Sequence, residues 1–173
     1  EIFGLFSPAR PDVALMMAHL PIQTTARYNA EWISEFYVIM YSLASYVDEE
    51  KSMKDKIFWM ADQASKRLPE NSYSSKMYDF VKSRYEANIP WEQARDEVYT
   101  RYQVDQADGY NLTSRGLKCN ACFAAGINYA SSLVSLFYGE GDIKETIKIA
   151  VLAGWDSDNP TSTWGGLLGF MLG

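Results

Sequence analysis

The chain has 173 residues, 47% of them hydrophobic, with 16 basic against 22 acidic side chains and a net charge of −6. That length and apolar content fit one domain with one substantial core, and the charge, spread without runs, leaves no basic stripe for nucleic acid and no polybasic anchor for a membrane. No apolar stretch reaches the roughly 18 to 20 residues of a bilayer span, and the amino end, EIFGLFSPARPD, has no basic segment leading into an apolar one.

In chain order, Pro11-Asp12 predicts a short helix to about Leu20, with proline tolerated in the first turn and Asp12 near the positive end of the dipole. Ile33, Phe36, Met40, Leu43 and Val47 recur at three and four residues, and Met53, Ile57, Ala61, Ala64 and Leu68 repeat the pattern, which predicts two amphipathic helices. Met77, Val81 and Tyr85 mark another. Pro90-Trp91 opens one more through Ala94, Val98 and Tyr102. The polar, glycine-punctuated stretch QVDQADGYNLTSRG, residues 103–116, is expected to be a long loop.

Residues 121–138 are small or apolar nearly all round, the pattern of a helix buried on several sides and central to the fold. Gly139-Glu140-Gly141 ends it, and Asp142 with Glu145 forms a D-x-x-E cap for the helix IKETIKIAVLA. Gly154 stops that helix. Asn159-Pro160 then opens a small-residue helix, TSTWGGLLGFMLG. There is no alternating strand pattern and no internal repeat, so the class is all-α. Cys119 and Cys122, in KCNAC, lack nearby zinc ligands, the only histidine being His19, and lack the preceding strand of a redox motif; they are expected to be small buried residues inside a helix.

The stretch AGWDSDNPTSTWGG, residues 153–166, carries the chemistry. Asp156 and Asp158 sit two apart on a loop between a helix carboxyl end and a helix amino end, where two side chains can converge on one point. Two readings stay open. Helix capping suits acidic residues at an amino end; a hard-cation site suits two carboxylates with neighbouring amide and hydroxyl oxygens. An EF-hand is disfavoured by Pro160 at the fifth position and Thr161 where glycine is needed. Gly165, Gly166, Gly169 and Gly173 give the last helix a bare face for close packing, without the spacing of a dinucleotide fingerprint.

Residues 136–173, LFYGEGDIKETIKIAVLAGWDSDNPTSTWGGLLGFMLG, resemble the carboxy-terminal signature of the ADP-ribosylglycohydrolase family, which includes the J1-type crystallins. Fainter similarity covers Phe3-Gly4 with Pro11 and Ala14, the segment AEWISEFYVIM, Leu68-Pro69, Trp91-Glu92 with Ala94-Arg95, and Asn128. The resemblance implies an all-helical, orthogonal multi-helix fold. It also implies a two-metal centre of magnesium or manganese that cleaves the glycosidic bond of ADP-ribose conjugates.

Carried over by position, Asp156 and Asp158 match metal ligands, and Asn159 stands where the family often has a threonine ligand. The resemblance places Asn128, Glu31 and Glu35 on pocket-facing helices. Trp155 and Trp164 flank the motif and are read either as stacking partners for a base or ribose or as packing. The family's T-D-D motif is missing from these 173 residues, and Glu1 is not methionine, so the chain is expected to be the carboxy-terminal portion, residues 1–173, of a single such domain. An amino-terminal segment or companion chain would complete it. The catalytic residues are not legible.

Two alternatives stand beside the hydrolase: a silent crystallin-like binding or structural relative, and a glycosidase or nucleoside hydrolase on the same scaffold. The sequon Asn111-Leu112-Thr113 on the expected loop favours secretion over the cytoplasm, with localisation left open.

Overall fold

The computed structural model describes residues 1–47, 50–111 and 121–173. Among these the chain is all-helical: α1 (Ile2–Leu5), α2 (Pro11–Gln23), α3 (Asn29–Leu43), α4 (Met53–Ser65), α5 (Tyr73–Glu86), α6 (Trp91–Val98), a π-helix (Tyr99–Val104), a 3₁₀ turn (Ala107–Gly109), α7 (Ala125–Gly139), α8 (Ile143–Ala153) and α9 (Asp158–Leu172). The helix starts follow local chemistry. Ser52, Ser72 and Asp142 each accept a backbone N–H three residues on, from Asp55 at 3.1 Å, Ser75 at 3.1 Å and Glu145 at 2.8 Å. α2 begins with proline at its first position and runs past Pro21, in its last turn, to Gln23.

α7 is the central element. All of its residues but Ala125 and Tyr138 are buried, because α3, α5, α6, α8 and α9 pack around it. Its turn into α8 is tight: a methyl group on Gly139 would lie 2.7 Å from the Cα of Thr146, so only glycine lets the two helices meet there. The core is rich in rings. Phe36, Tyr129 and Trp164 are fully buried, with Phe36 and Tyr129 edge to face at 5.3 Å, a geometry that adds about 0.5–1.5 kcal/mol to the area they bury. A second group joins Phe58, Tyr78 and Phe137.

Several expected boundaries move. α3 stops at Leu43, so Val47 lies beyond it, and α4 stops at Ser65, although Leu68 is still buried. The expected loop over 103–116 begins as helix, because α6 continues into the π-helix through Val104. α7 starts at Ala125 rather than 121. Cys122 accordingly stands in a half-buried turn and is disulfide-bonded, which corrects the expectation of a helical thiol. Cys119, and Leu112 and Thr113 of the sequon, lie outside the described residues. Among the described residues no helix is long and apolar enough to cross a membrane.

Candidate functional site

The site is built on the turn between α8 and α9. Gly154 ends α8 at φ +98° and ψ −157°, a region that side chains with a Cβ rarely enter. Trp155 follows at φ +55°, left-handed and unusual for a bulky residue. α9 then starts at Asp158 with Ser157 before it, and Ser157 makes no side-chain capping bond. The backbone carbonyl of Asp156 accepts the N–H of Asn159 at 3.0 Å. The helix is thus opened by backbone bonds, and the two carboxyl groups are not used as caps. Asp158 lies in the first turn, where the dipole favours an anion.

The carboxyl group of Asp158 is near enough to influence that of Asp156. Partial burial, then their hydrogen-bond contact, then the like charge of Asp158 push the Asp156 pKa above its ordinary value. Among the described residues neither forms an ion pair, since each Lys or Arg pair there goes elsewhere. Asn128, 7% exposed on α7, fixes the turn from below. Its Oδ1 accepts the backbone N–H of Asp156 at 3.1 Å, and its amide group donates to the carbonyls of Cys122 at 2.7 Å and Ala124 at 3.1 Å.

A cleft of about 360 Å³ opens beside this turn, within the roughly 300–1,000 Å³ of small-molecule sites. Asp156, Asn128 and Asn159 all line it, so three of the sequence-selected residues come together. Glu1, Thr25, Ser34, Tyr37, Tyr129 and Thr163 line the same space. Nothing in the local sequence marks these, because Ser34 and Tyr37 of α3, Tyr129 of α7, Thr163 of α9, and Glu1 and Thr25 outside the helices are brought together only by packing. Thr163 Oγ1 donates to Glu1 Oε1 at 2.7 Å. Tyr37 and Ser132 share a hydroxyl bond at 2.9 Å, and burial raises the Tyr37 pKa.

The other selected residues stand outside the cleft. Glu35 is 4% exposed and holds Arg67 in a bidentate pair at 2.6 and 2.9 Å. Glu31 accepts an amide hydrogen of Gln23 at 2.9 Å. Trp155 is half-buried against the core and donates its indole N–H to Gln103 at 2.6 Å. Trp164 is fully buried and donates to the carbonyl of Ser132 at 2.8 Å, so it is a core residue.

The ADP-ribosylglycohydrolase family model matches residues 2–173. The chain belongs to the ADP-ribosylglycohydrolase family. The family implies a hydrolase-type function and an ADP-ribose-type substrate, and the all-helical packing agrees with its fold. The match lends no support to a companion chain. No curated protein and no solved structure gives a match.

A divalent metal is the expectation drawn from the resemblance, and the donor set can be compared with it. Among the described residues no group of three or more His, Cys, Asp or Glu side chains converges. Two neighbouring carboxyl groups without an ion-pair partner among the described residues nevertheless fit one hard cation. Magnesium is commonly held by one or two carboxylates, with water and substrate oxygens as its remaining ligands. Asn159, exposed on the cleft rim, adds an amide oxygen of the same hard class.

Proposed function

We propose that the chain is a divalent-cation-dependent hydrolase that cleaves the glycosidic bond of ADP-ribose conjugates in the cleft beside Asp156. The observation that carries this reading is a cleft lined together by Asp156, Asn128 and Asn159, with the Asp158 carboxylate two residues on in the first turn of α9. Two neighbouring carboxyl groups repel once both ionise, and burial first, then the proximity and charge of Asp158, raise the Asp156 pKa. A cation between them removes that repulsion. Family membership over residues 2–173 supplies the reaction class.

Asp156 and Asp158 would hold a magnesium or manganese ion, with Asn159 beside them. When bound, such an ion lowers the pKa of a water and polarises oxygens of the sugar. The chain's own residues divide the remaining work. Asn128 holds the Asp156 backbone and so sets where its carboxyl group points. The hydroxyl groups of Thr25, Ser34 and Thr163, with the Glu1 carboxylate, give the cleft hydrogen-bonding groups suited to ribose hydroxyls. Ala26, Ala30, Ile33 and Phe123 form apolar wall that limits water around the reacting centre. Positive charge that develops on the sugar ring faces an acidic edge.

The test is release of free ADP-ribose from ADP-ribosylated peptides and small conjugates, followed by chromatography with magnesium, with manganese and with chelator. Cation-dependent release that Asp156→Asn abolishes supports the reading. Release of another sugar or nucleoside, with ADP-ribose conjugates left intact, would replace it with the glycosidase alternative. No turnover of any conjugate would leave the fold with a binding or structural role.

A further inference from the structure

The turn that carries Asp156 is also gripped from outside the cleft. Past Val98, α6 widens into the π-helix Tyr99–Val104, closed by the N–H of Asp105 on the carbonyl of Thr100 at 2.9 Å, five residues back. Tyr102 and Gln103 within it are buried, at 0% and 5% exposure. Single π-turns within helices recur at functional sites. Here the turn delivers the Gln103 Oε1 to the indole N–H of Trp155 at 2.6 Å, across 52 positions of sequence.

Trp155 needs such a grip. It is a large aromatic residue at φ +55°, next to Gly154 at φ +98°. Bulky residues hold that conformation only where the surroundings impose it. Three constraints do so: the indole bond to Gln103, the packing of the ring on the core, and the bond from the next residue's N–H to Asn128.

We propose that Gln103 is a positioning residue for the Asp156 carboxyl group, acting through Trp155, and that the π-helix exists in this chain to place it. The proposal rests on the cation-site reading given above. Gln103 is not among the residues that line the cleft. It fixes the indole, the indole fixes the left-handed turn, and the turn aims Asp156 at Asp158. Partners of this outer kind commonly cost 10–100-fold in metal affinity when removed.

The test compares the full-length wild type with Gln103→Met, Gln103→Glu, Trp155→Phe and the double variant Gln103→Met with Trp155→Phe. Three readouts are taken: the indole N–H resonances of metal-free protein, thermal midpoint, and Mn²⁺ affinity by calorimetry. Gln103→Met should shift the Trp155 indole resonance and weaken Mn²⁺ binding about tenfold or more. Gln103→Glu, which keeps an acceptor for the indole, should recover most of that affinity even where its thermal midpoint falls as far. Trp155→Phe should match Gln103→Met, and the double variant should be no weaker than the weaker single one, because both remove one interaction. Unchanged Mn²⁺ affinity in Gln103→Met, additive losses in the double variant, or affinity that tracks the thermal midpoint in every variant would each overturn the positioning role alone. A wild type that binds no Mn²⁺ would overturn the cation site and this role together.

Discussion

Asn128 joins the centre of the fold to the candidate site, because its Oδ1 accepts the backbone N–H of Asp156 at 3.1 Å from 28 positions away. The same side chain donates to the carbonyls of Cys122 and Ala124. One buried amide therefore ties the segment before α7 to the turn before α9.

Asn128→Ala removes the acceptor of the Asp156 backbone N–H, while the Ala124 carbonyl keeps the backbone N–H of residue 128 at 3.2 Å. A buried group left without its partner costs about 1–3 kcal/mol, and each kcal/mol lowers the midpoint by about 2–4 °C in a chain of this size. Calorimetric unfolding should show a fall in that range, and Mn²⁺ affinity should drop with it. A lowered midpoint with weakened Mn²⁺ binding agrees with the account; unchanged affinity does not.

Glu35 and Arg67 are predicted to matter for folding and not for the site. Arg67→Met strands a carboxylate that is 4% exposed. Breaking a fully buried pair costs about 3–5 kcal/mol. The Arg67 side chain is 49% exposed, so screening reduces the expected loss to about 2 kcal/mol. Replacing both, Glu35→Leu with Arg67→Met, should recover most of it. Chemical denaturation of the three variants decides this, and Mn²⁺ affinity should stay at the wild-type level throughout.

The glycines of α7 and α9 should respond in opposite ways. A Cβ on Gly139 would lie 2.0 Å from the Thr146 hydroxyl and 2.7 Å from its Cα. Gly139→Ala should then cost about 1–3 kcal/mol through overpacking. Gly169 is an exposed helical position with no atom within 4 Å of an added Cβ. Gly169→Ala should stabilise by about 0.5–1 kcal/mol through helix propensity. Thermal midpoints measured side by side test both signs.

The helices were legible because amphipathic spacing and capping residues act locally. The periodic apolar set of α3, the D-x-x-E start of α8 and the buried composition of α7 all report physics within a few residues. The carboxylate pair was legible for the same reason, as two positions on one short turn. Glu1, Tyr37 and Thr163 were not, since nothing near them in sequence shows that α3 and α9 bring them to one cleft. Glu31 and Glu35 show the converse. Their helix is the expected one, but Gln23 and Arg67 engage them outside the cleft. Gln103 was hidden because a polar, glycine-containing stretch reads as loop, while its first residues are held in helix by packing against α6 and α7.

Alkaline unfolding should be linked to the buried tyrosines. Burial is the leading cause that raises the pKa of Tyr37, Tyr41, Tyr73, Tyr78, Tyr85, Tyr102, Tyr110, Tyr129 and Tyr138, with Tyr110 and Tyr138 pushed up to about 12. A pKa raised above the unfolded value of about 10 means that the stabilisation is fully present below about pH 10 and is lost as pH rises beyond it. Ultraviolet titration of tyrosinate alongside circular dichroism should show these phenols ionising together with loss of helix. Their titration near pH 10 in a protein that keeps its helix would contradict the burial described.

The most direct test of the central claim is a calorimetric titration of Mn²⁺ into wild type, Asp156→Asn and Asp158→Asn, with the thermal midpoint of each metal-free protein measured in parallel. The account predicts one cation at this pair in the wild type, affinity at least about tenfold weaker in both variants, and metal-free midpoints that hold or rise as the carboxylate repulsion is removed. Equal binding by wild type and both variants, or no binding by the wild type, would contradict it.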